Sequence, residues 1–131
     1  VRKAVREFVE KEINPNMEEW EARGQAPLHT LFKKMGGLGF LGLRYDPKYG
    51  GQGLDYWYDT VFLEELGRIH GSGIPVAIAV HTHMSTPAIA EYGSAYLKET
   101  YLKPAIAGEA VTAIAVTEPD AGSYVAAIKT T

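Results

Sequence analysis

A mainly α-helical unit followed by the first strands of a β segment is predicted by three features of the sequence. Apolar residues recur at three- and four-residue steps through most of the first 110 positions. Gly- and Pro-containing breaks cut that pattern into lengths typical of globular helices. After Ala110 the character changes: Val111-Thr112-Ala113-Ile114-Ala115-Val116-Thr117 is short and rich in β-branched residues, as a strand is. The expected division is a helical unit over 1–110 and the opening of a β domain over 111–131.

The first helix is expected over 1–20, where Val5, Phe8, Val9, Ile13 and Met17 form one stripe and Arg2, Lys3, Arg6, Glu7, Glu10 and Lys11 the wet face. Pro15 removes a backbone donor, so a kink or restart is expected near Ile13-Asn14. Pro27 suits the first turn of a second helix carrying Leu28, Leu31, Phe32 and Met35, which Gly36-Gly37 ends. Residues 38–53 are Gly-rich turn chemistry with enough apolar side chains to pack. A third helix over 55–70 would bury Trp57/Tyr58, Val61/Phe62, Leu66 and Ile69, with Glu64, Glu65 and Arg68 facing water. Ser72 is placed to cap a fourth helix over 74–92, apolar nearly all round and so expected at the centre. A fifth, over 94–106, would be amphipathic through Tyr96, Leu97, Tyr101 and Leu102.

Composition excludes several classes of function. The 131 residues are 46% hydrophobic and 22% charged, with 13 basic against 16 acidic side chains for a net charge of −3. A disordered tail, a collagen-like repeat and a polybasic nucleic-acid binder do not look like this. The absence of cysteine removes disulfide scaffolds, zinc ribbons and thiol catalysis. The longest purely apolar run, 74–80, is seven residues and includes a proline, against the ~20 a transmembrane helix needs. The chain opens at Val1 inside a helical pattern and closes inside an extended one, so it is expected to be a piece of something longer.

Gly37-Leu38-Gly39-Phe40-Leu41-Gly42 spells G-x-G-x-x-G. The fingerprint binds dinucleotides only between a strand and a helix, and helical periodicity precedes it here, so it reads as a helix-to-loop turn. His81 and His83 lie two apart on a helix, about 200° around the axis, and cannot share one metal ion. No metal site is expected. The polar group His81, Thr82, His83, Ser85 and Thr86 on an apolar helix is either the lining of a pocket or a satisfied polar cluster in the core. Glu64 and Glu65 read as a solvated face rather than an acid/base pair. The run from Ala113 to Ser123 is a strand and turn, and the turn is either a plain β-turn or a nest whose Ala121, Gly122 and Ser123 N–H groups bind an anion.

Ile114-Ala115-Val116-Thr117-Glu118-Pro119-Asp120-Ala121-Gly122-Ser123 closely resembles the flavin-binding signature of the acyl-CoA dehydrogenase family. Upstream, Val5-Arg6-Glu7-Phe8-Val9 with Pro15, Gly39-Phe40-Leu41-Gly42 and Tyr49-Gly50-Gly51-Gln52-Gly53 also fall where that family has them. So do Glu64-Glu65-Leu66, Tyr92-Gly93 and Tyr101-Leu102, and the resemblance covers the whole chain. It implies the N-terminal helical domain and the first strands of the middle β-barrel of an FAD-dependent oxidoreductase that converts an acyl-CoA to the trans-2-enoyl-CoA. A C-terminal helical bundle would hold the catalytic Glu beyond Thr131, so no catalytic residue is assigned and the chain alone is expected to be inactive. An electron-transferring flavoprotein would be the electron acceptor, and the full-length protein a homo-oligomer. It would reside in the mitochondrial matrix of a eukaryote or the cytoplasm of a bacterium. Carried over by position, Ala115, Val116, Thr117, Gly122 and Ser123 would approach the flavin, and Ser123, His81 and Met84 the substrate. Asp120 stands where the family often has Gly, and Tyr124 where it has Asp; an inward-facing Asp120 would oppose bound phosphate. Two other readings of the same residues are a non-catalytic helical binding module derived from this fold and an acyl-CoA oxidase.

Overall fold

The computed structural model describes residues 1–130; Thr131, the last residue of the expected β segment, lies outside them. The first helical rod runs from α1 (Arg2–Phe8) to α2 (Met17–Arg23) through a wide, π-type turn at Val9–Ile13 and a tight turn at Asn14–Asn16. Then come α3 (Leu28–Gly37), the Gly-rich segment and α4 (Tyr56–Leu66). A central rod joins α5 (Gly73–Ala79) to α6 (Thr86–Tyr92) through a wide turn at Val80–Ser85. The last rod joins α7 (Ala95–Leu97) to α8 (Lys103–Ile106) through another at Lys98–Leu102.

Each wide turn leads into a proline. Proline has no N–H, and its ring collides with the carbonyl four residues back. The residue before each one reaches a residue further than an α-helix allows: Asn14 N–H to Val9 O, Thr86 N–H to His81 O, Lys103 N–H to Lys98 O. The break expected at Pro15 is therefore a widened turn in a continuous rod, and Pro87 and Pro104 are accommodated the same way. In that register the donor owed to Thr82 O is the N–H that Pro87 lacks, and the Tyr45 hydroxyl supplies it at 3.0 Å.

Local chemistry sets most element ends. Asp55 caps α4 through the Trp57 N–H, Ser94 caps α7 through the Leu97 N–H, and Asp46 accepts from the Lys48 N–H. Ser72 makes no side-chain cap bond, contrary to expectation; α5 starts from Gly73 without one. Gly24, at φ 64°, closes α2 with paired bonds from Gln25 N–H to Trp20 O and from Gly24 N–H to Glu21 O. Gly39 (φ 76°) turns the chain out of α3, so the G-x-G-x-x-G run is a helix-to-loop turn.

The core joins Val5, Phe8, Val9 and Ile13 of the first rod to Phe32, Met35, Phe40, Phe62, Leu66 and Ile78. Backbone meets backbone where α3 crosses the turn after α8. A Cβ on Gly36 would sit 2.1 Å from Ala107 O, and one on Gly108 1.9 Å from Phe32 O.

Five expectations about burial and strands are corrected. Glu65 is fully buried, not solvated: Arg6 grips it bidentately at 2.8 Å, and Arg2 and Arg68 each bond it at 2.9 Å. Trp57 and Tyr58 are exposed, because the inward face of α4 runs through Asp59, Phe62, Glu65 and Leu66. Tyr96, Leu97 and Tyr101 are exposed while Leu102 is buried, and the central rod buries one face only, leaving Val76 and Met84 open. Residues 111–117 are extended but form no strand; among the described residues β pairing is one bridge, Glu118 to Ala121.

Arg6, then Arg2, hold the Glu65 carboxyl down to about 2, from an ordinary 4.5. A depressed folded-state value stabilises the fold fully above about pH 4.5, and that contribution is lost as pH falls toward about 2. Glu65→Gln is expected to lower the urea midpoint at pH 7 far more than Glu64→Gln, with the difference shrinking across that acid window. Gly36→Ala is expected to cost about 2 kcal/mol by forcing two backbones apart, whereas Gly37→Ala, with open space around its Cβ, is tolerated; urea titrations of the pair decide it.

Candidate functional site

The segment matching the flavin signature leaves the helical unit at Val111, which is packed against the core. From Ala113 to Thr117 it is exposed and extended, with Ile114 and Val116 presenting apolar surface. Among the described residues, no hydrogen bond is made by the N–H groups of 113–117, Gly122 or Ser123. The turn is pinned by Glu118 N–H to Ala121 O at 2.9 Å and Ala121 N–H to Glu118 O at 3.2 Å. Ala121 has therefore spent its N–H and is buried, so the expected three-donor nest is reduced to Gly122 and Ser123. Gly122 does not use a positive φ either, and a Cβ built on it meets nothing within 4 Å.

Glu118 folds the following segment back. Its carboxylate accepts from the Thr130 hydroxyl and from the N–H groups of Lys129 and Thr130, which hold it below the ordinary carboxylate range. Asp120 turns outward, 3.7 Å from the Lys129 ammonium, and Tyr124 is exposed. The charge at position 120 therefore lies on the outer side of its turn.

The central rod carries the other predicted residues, in two environments. Met84 is half exposed. His81 is wholly buried, with the Phe32 ring edge-on at 4.9 Å. Its Nδ1 lies 3.1 Å from the Thr112 N–H nitrogen, which can only donate, so Nδ1 carries no proton. The proton sits on Nε2 and is donated to Ala105 O at 3.1 Å. Burial pushes the His81 pKa down, consistent with a neutral ring. Both nitrogens are thus engaged within the chain.

His83 faces elsewhere. Its Nδ1 is 2.6 Å from Thr82 Oγ1 and its Nε2 is 3.5 Å from the buried Asp59, which is paired with Arg44. Sequence reasoning missed Asp59 and Glu65. Both lie on the face that carries Phe62, Leu66 and Ile69, and that spacing was the available signal.

Residues 1–109 match the acyl-CoA dehydrogenase N-terminal domain. The chain belongs to the acyl-CoA dehydrogenase family. It is 38% identical over 124 residues to a probable acyl-CoA dehydrogenase of Bacillus subtilis (strain 168), covering 94% of this chain and 32% of that relative. An acyl-CoA dehydrogenase structure from Geobacillus kaustophilus superposes with a TM-score of 0.87 at 45% identity, over 97% of this chain and 33% of that one. One from Bacillus anthracis, complexed with FAD, gives 0.87 at 30% identity, over 98% and 22%. The chain therefore spans about a third of the B. subtilis and Geobacillus proteins. The helices shared with this family hold the segment from 111 onward at their edge.

Tyr45→Phe leaves Thr82 O, which Pro87 cannot serve, without its donor. The expected loss is about 1 kcal/mol, read from the urea midpoint; an unchanged midpoint would show that water replaces the phenol.

Proposed function

We propose that this chain is the N-terminal part of an FAD-dependent acyl-CoA dehydrogenase, which oxidises an acyl-CoA thioester to the trans-2-enoyl-CoA. The observation that carries the reading is the exposed run 113–117 followed by Gly122 and Ser123, with apolar side chains, unspent N–H donors and open space above Gly122. A flat ring system with polar edges needs such a surface: apolar contact for its face, main-chain donors for its rim. The family relationship and the FAD-complexed neighbour support the same choice of cofactor.

In this reading Ala115 and Val116 lie along the ring, Thr117 reaches its edge, and Gly122 and Ser123 offer N–H groups where cofactor and thioester meet. Ser123 adds a hydroxyl toward substrate. Met84, with Val76 on the same rod, offers an apolar surface to the acyl chain, and His81 supports that surface from behind. When bound, FAD supplies the hydride acceptor. This chain's residues bind and orient; the base that takes the α-proton is assigned to none of them. An electron-transferring flavoprotein is the proposed electron acceptor.

The enzyme of which this chain is part is expected to purify with oxidised-flavin absorption that bleaches anaerobically when acyl-CoA is added. A colourless protein that acyl-CoA leaves unaltered would sink the proposal. Gly122→Val separates binding from folding, because a Cβ added there meets nothing within 4 Å. The variant is expected to keep the parent urea midpoint and lose most of its flavin.

A further inference from the structure

We infer that His81 is a positioning residue for the segment assigned to the flavin, acting through Thr112. The chain from Ala105 to Thr112 leaves the last helix, turns at Gly108 (φ 71°) and becomes extended. One imidazole holds both ends of that passage. Nε2–H donates to Ala105 O at 3.1 Å, and Nδ1 accepts from the Thr112 N–H at 3.1 Å, with Thr112 Oγ1 also 3.0 Å away.

Thr112 is fixed a second time on the central rod. Its hydroxyl lies 2.5 Å from Ser85 Oγ, which itself donates to Val80 O at 3.0 Å. Beyond Thr112 the N–H groups of 113–117 make no bond among the described residues, and the next pinned position is the Glu118–Ala121 turn. Five residues therefore hang between two anchors, and His81 holds the first. Their placement relative to Met84 follows from that anchor, because His81 and Met84 share the wide turn Val80–Ser85.

The ring type matters. Nδ1 and Nε2 point in divergent directions from one rigid ring, so a neutral imidazole accepts from one stretch of chain while it donates to the other. A cationic ring would aim a proton at the Thr112 N–H, so the arrangement requires the neutral Nε2–H form.

The assignment of the segment rests on the function proposed above; the clasp itself does not, and the test keeps the two apart. Nitrogen-15 NMR of the full chain near pH 7 is expected to show His81 as the Nε2–H tautomer. The Thr112 amide is expected to exchange slowly. His81→Phe keeps a ring against Phe32 but removes both bonds. It should speed Thr112 exchange by about tenfold or more, as loss of a net ~1.4 kcal/mol restraint implies, and leave α1 and α4 exchange unchanged. In the flavin-loaded enzyme the same substitution should raise the FAD dissociation constant, read by equilibrium dialysis, by a similar factor. Thr112→Val, a milder change that keeps the N–H bond, should fall between. An Nδ1–H tautomer in the unsubstituted chain, a Thr112 amide indifferent to His81→Phe, or faster exchange with unchanged FAD affinity would each overturn the inference. An unsubstituted enzyme that binds no FAD would instead overturn the proposed function, before any variant is made.

Discussion

Three prolines inside helices impose the constraint on which much of this structure depends. Each one lacks a donor and crowds a carbonyl, and each is met by a turn that widens to a five-residue reach. Widening frees carbonyls. On the central rod, which lies against the core, those carbonyls must find partners. The Tyr45 hydroxyl serves Thr82 O, which Pro87 cannot, and the hydroxyls of Thr82, Ser85 and Thr86 also donate to the rod's own backbone, at Ile78 O, Val80 O and His81 O. The polar cluster on an otherwise apolar helix is the counterpart of Pro87. Once polar groups occupy that turn for the backbone's sake, an imidazole among them finds neighbours already arranged for hydrogen bonding.

The other constraint is electrostatic. Glu65 enters the core because three guanidinium groups enclose it, two from α1 and one from the turn that follows α4. A carboxylate so held is costly to strip of any partner and gives limited net stability over an apolar substitute. What it fixes is the relation of α1 to α4, since bidentate geometry with Arg6 tolerates little sliding. Asn14 adds a second fixed point at the bend, bonding Arg68 O and the His70 N–H.

The stripes of α3 and the far half of α4 were legible because local periodicity reports burial when a helix is regular. Tyr96, Leu97 and Tyr101 were misjudged for the opposite reason. The wide turn at Lys98–Leu102 breaks the α-helical phase within that rod, so a stripe drawn at one pitch does not hold from Tyr96 to Leu102. The burial of Glu65 depends on arginines 59 and 63 positions away, which no local window contains. The flavin-like segment was legible as a motif yet not as a strand. A strand is a relation between two stretches of chain, and among the described residues 111–117 lack the second. His81 was marked by its polarity in apolar company, but which of its two open readings held depended on where Thr112 came to lie.

The two tryptophans sit in contrasting surroundings. Trp57 projects into solvent at the start of α4, 73% exposed, while Trp20 is partly buried in a groove with Met17, Leu28 and Ile74. Intrinsic emission from this chain is therefore two signals of different colour. The red component belongs to a ring that water already surrounds, so it changes little on denaturation. The blue component reports whether the end of the first rod is still seated against α3 and the central rod, making one indole an optical gauge of that corner alone.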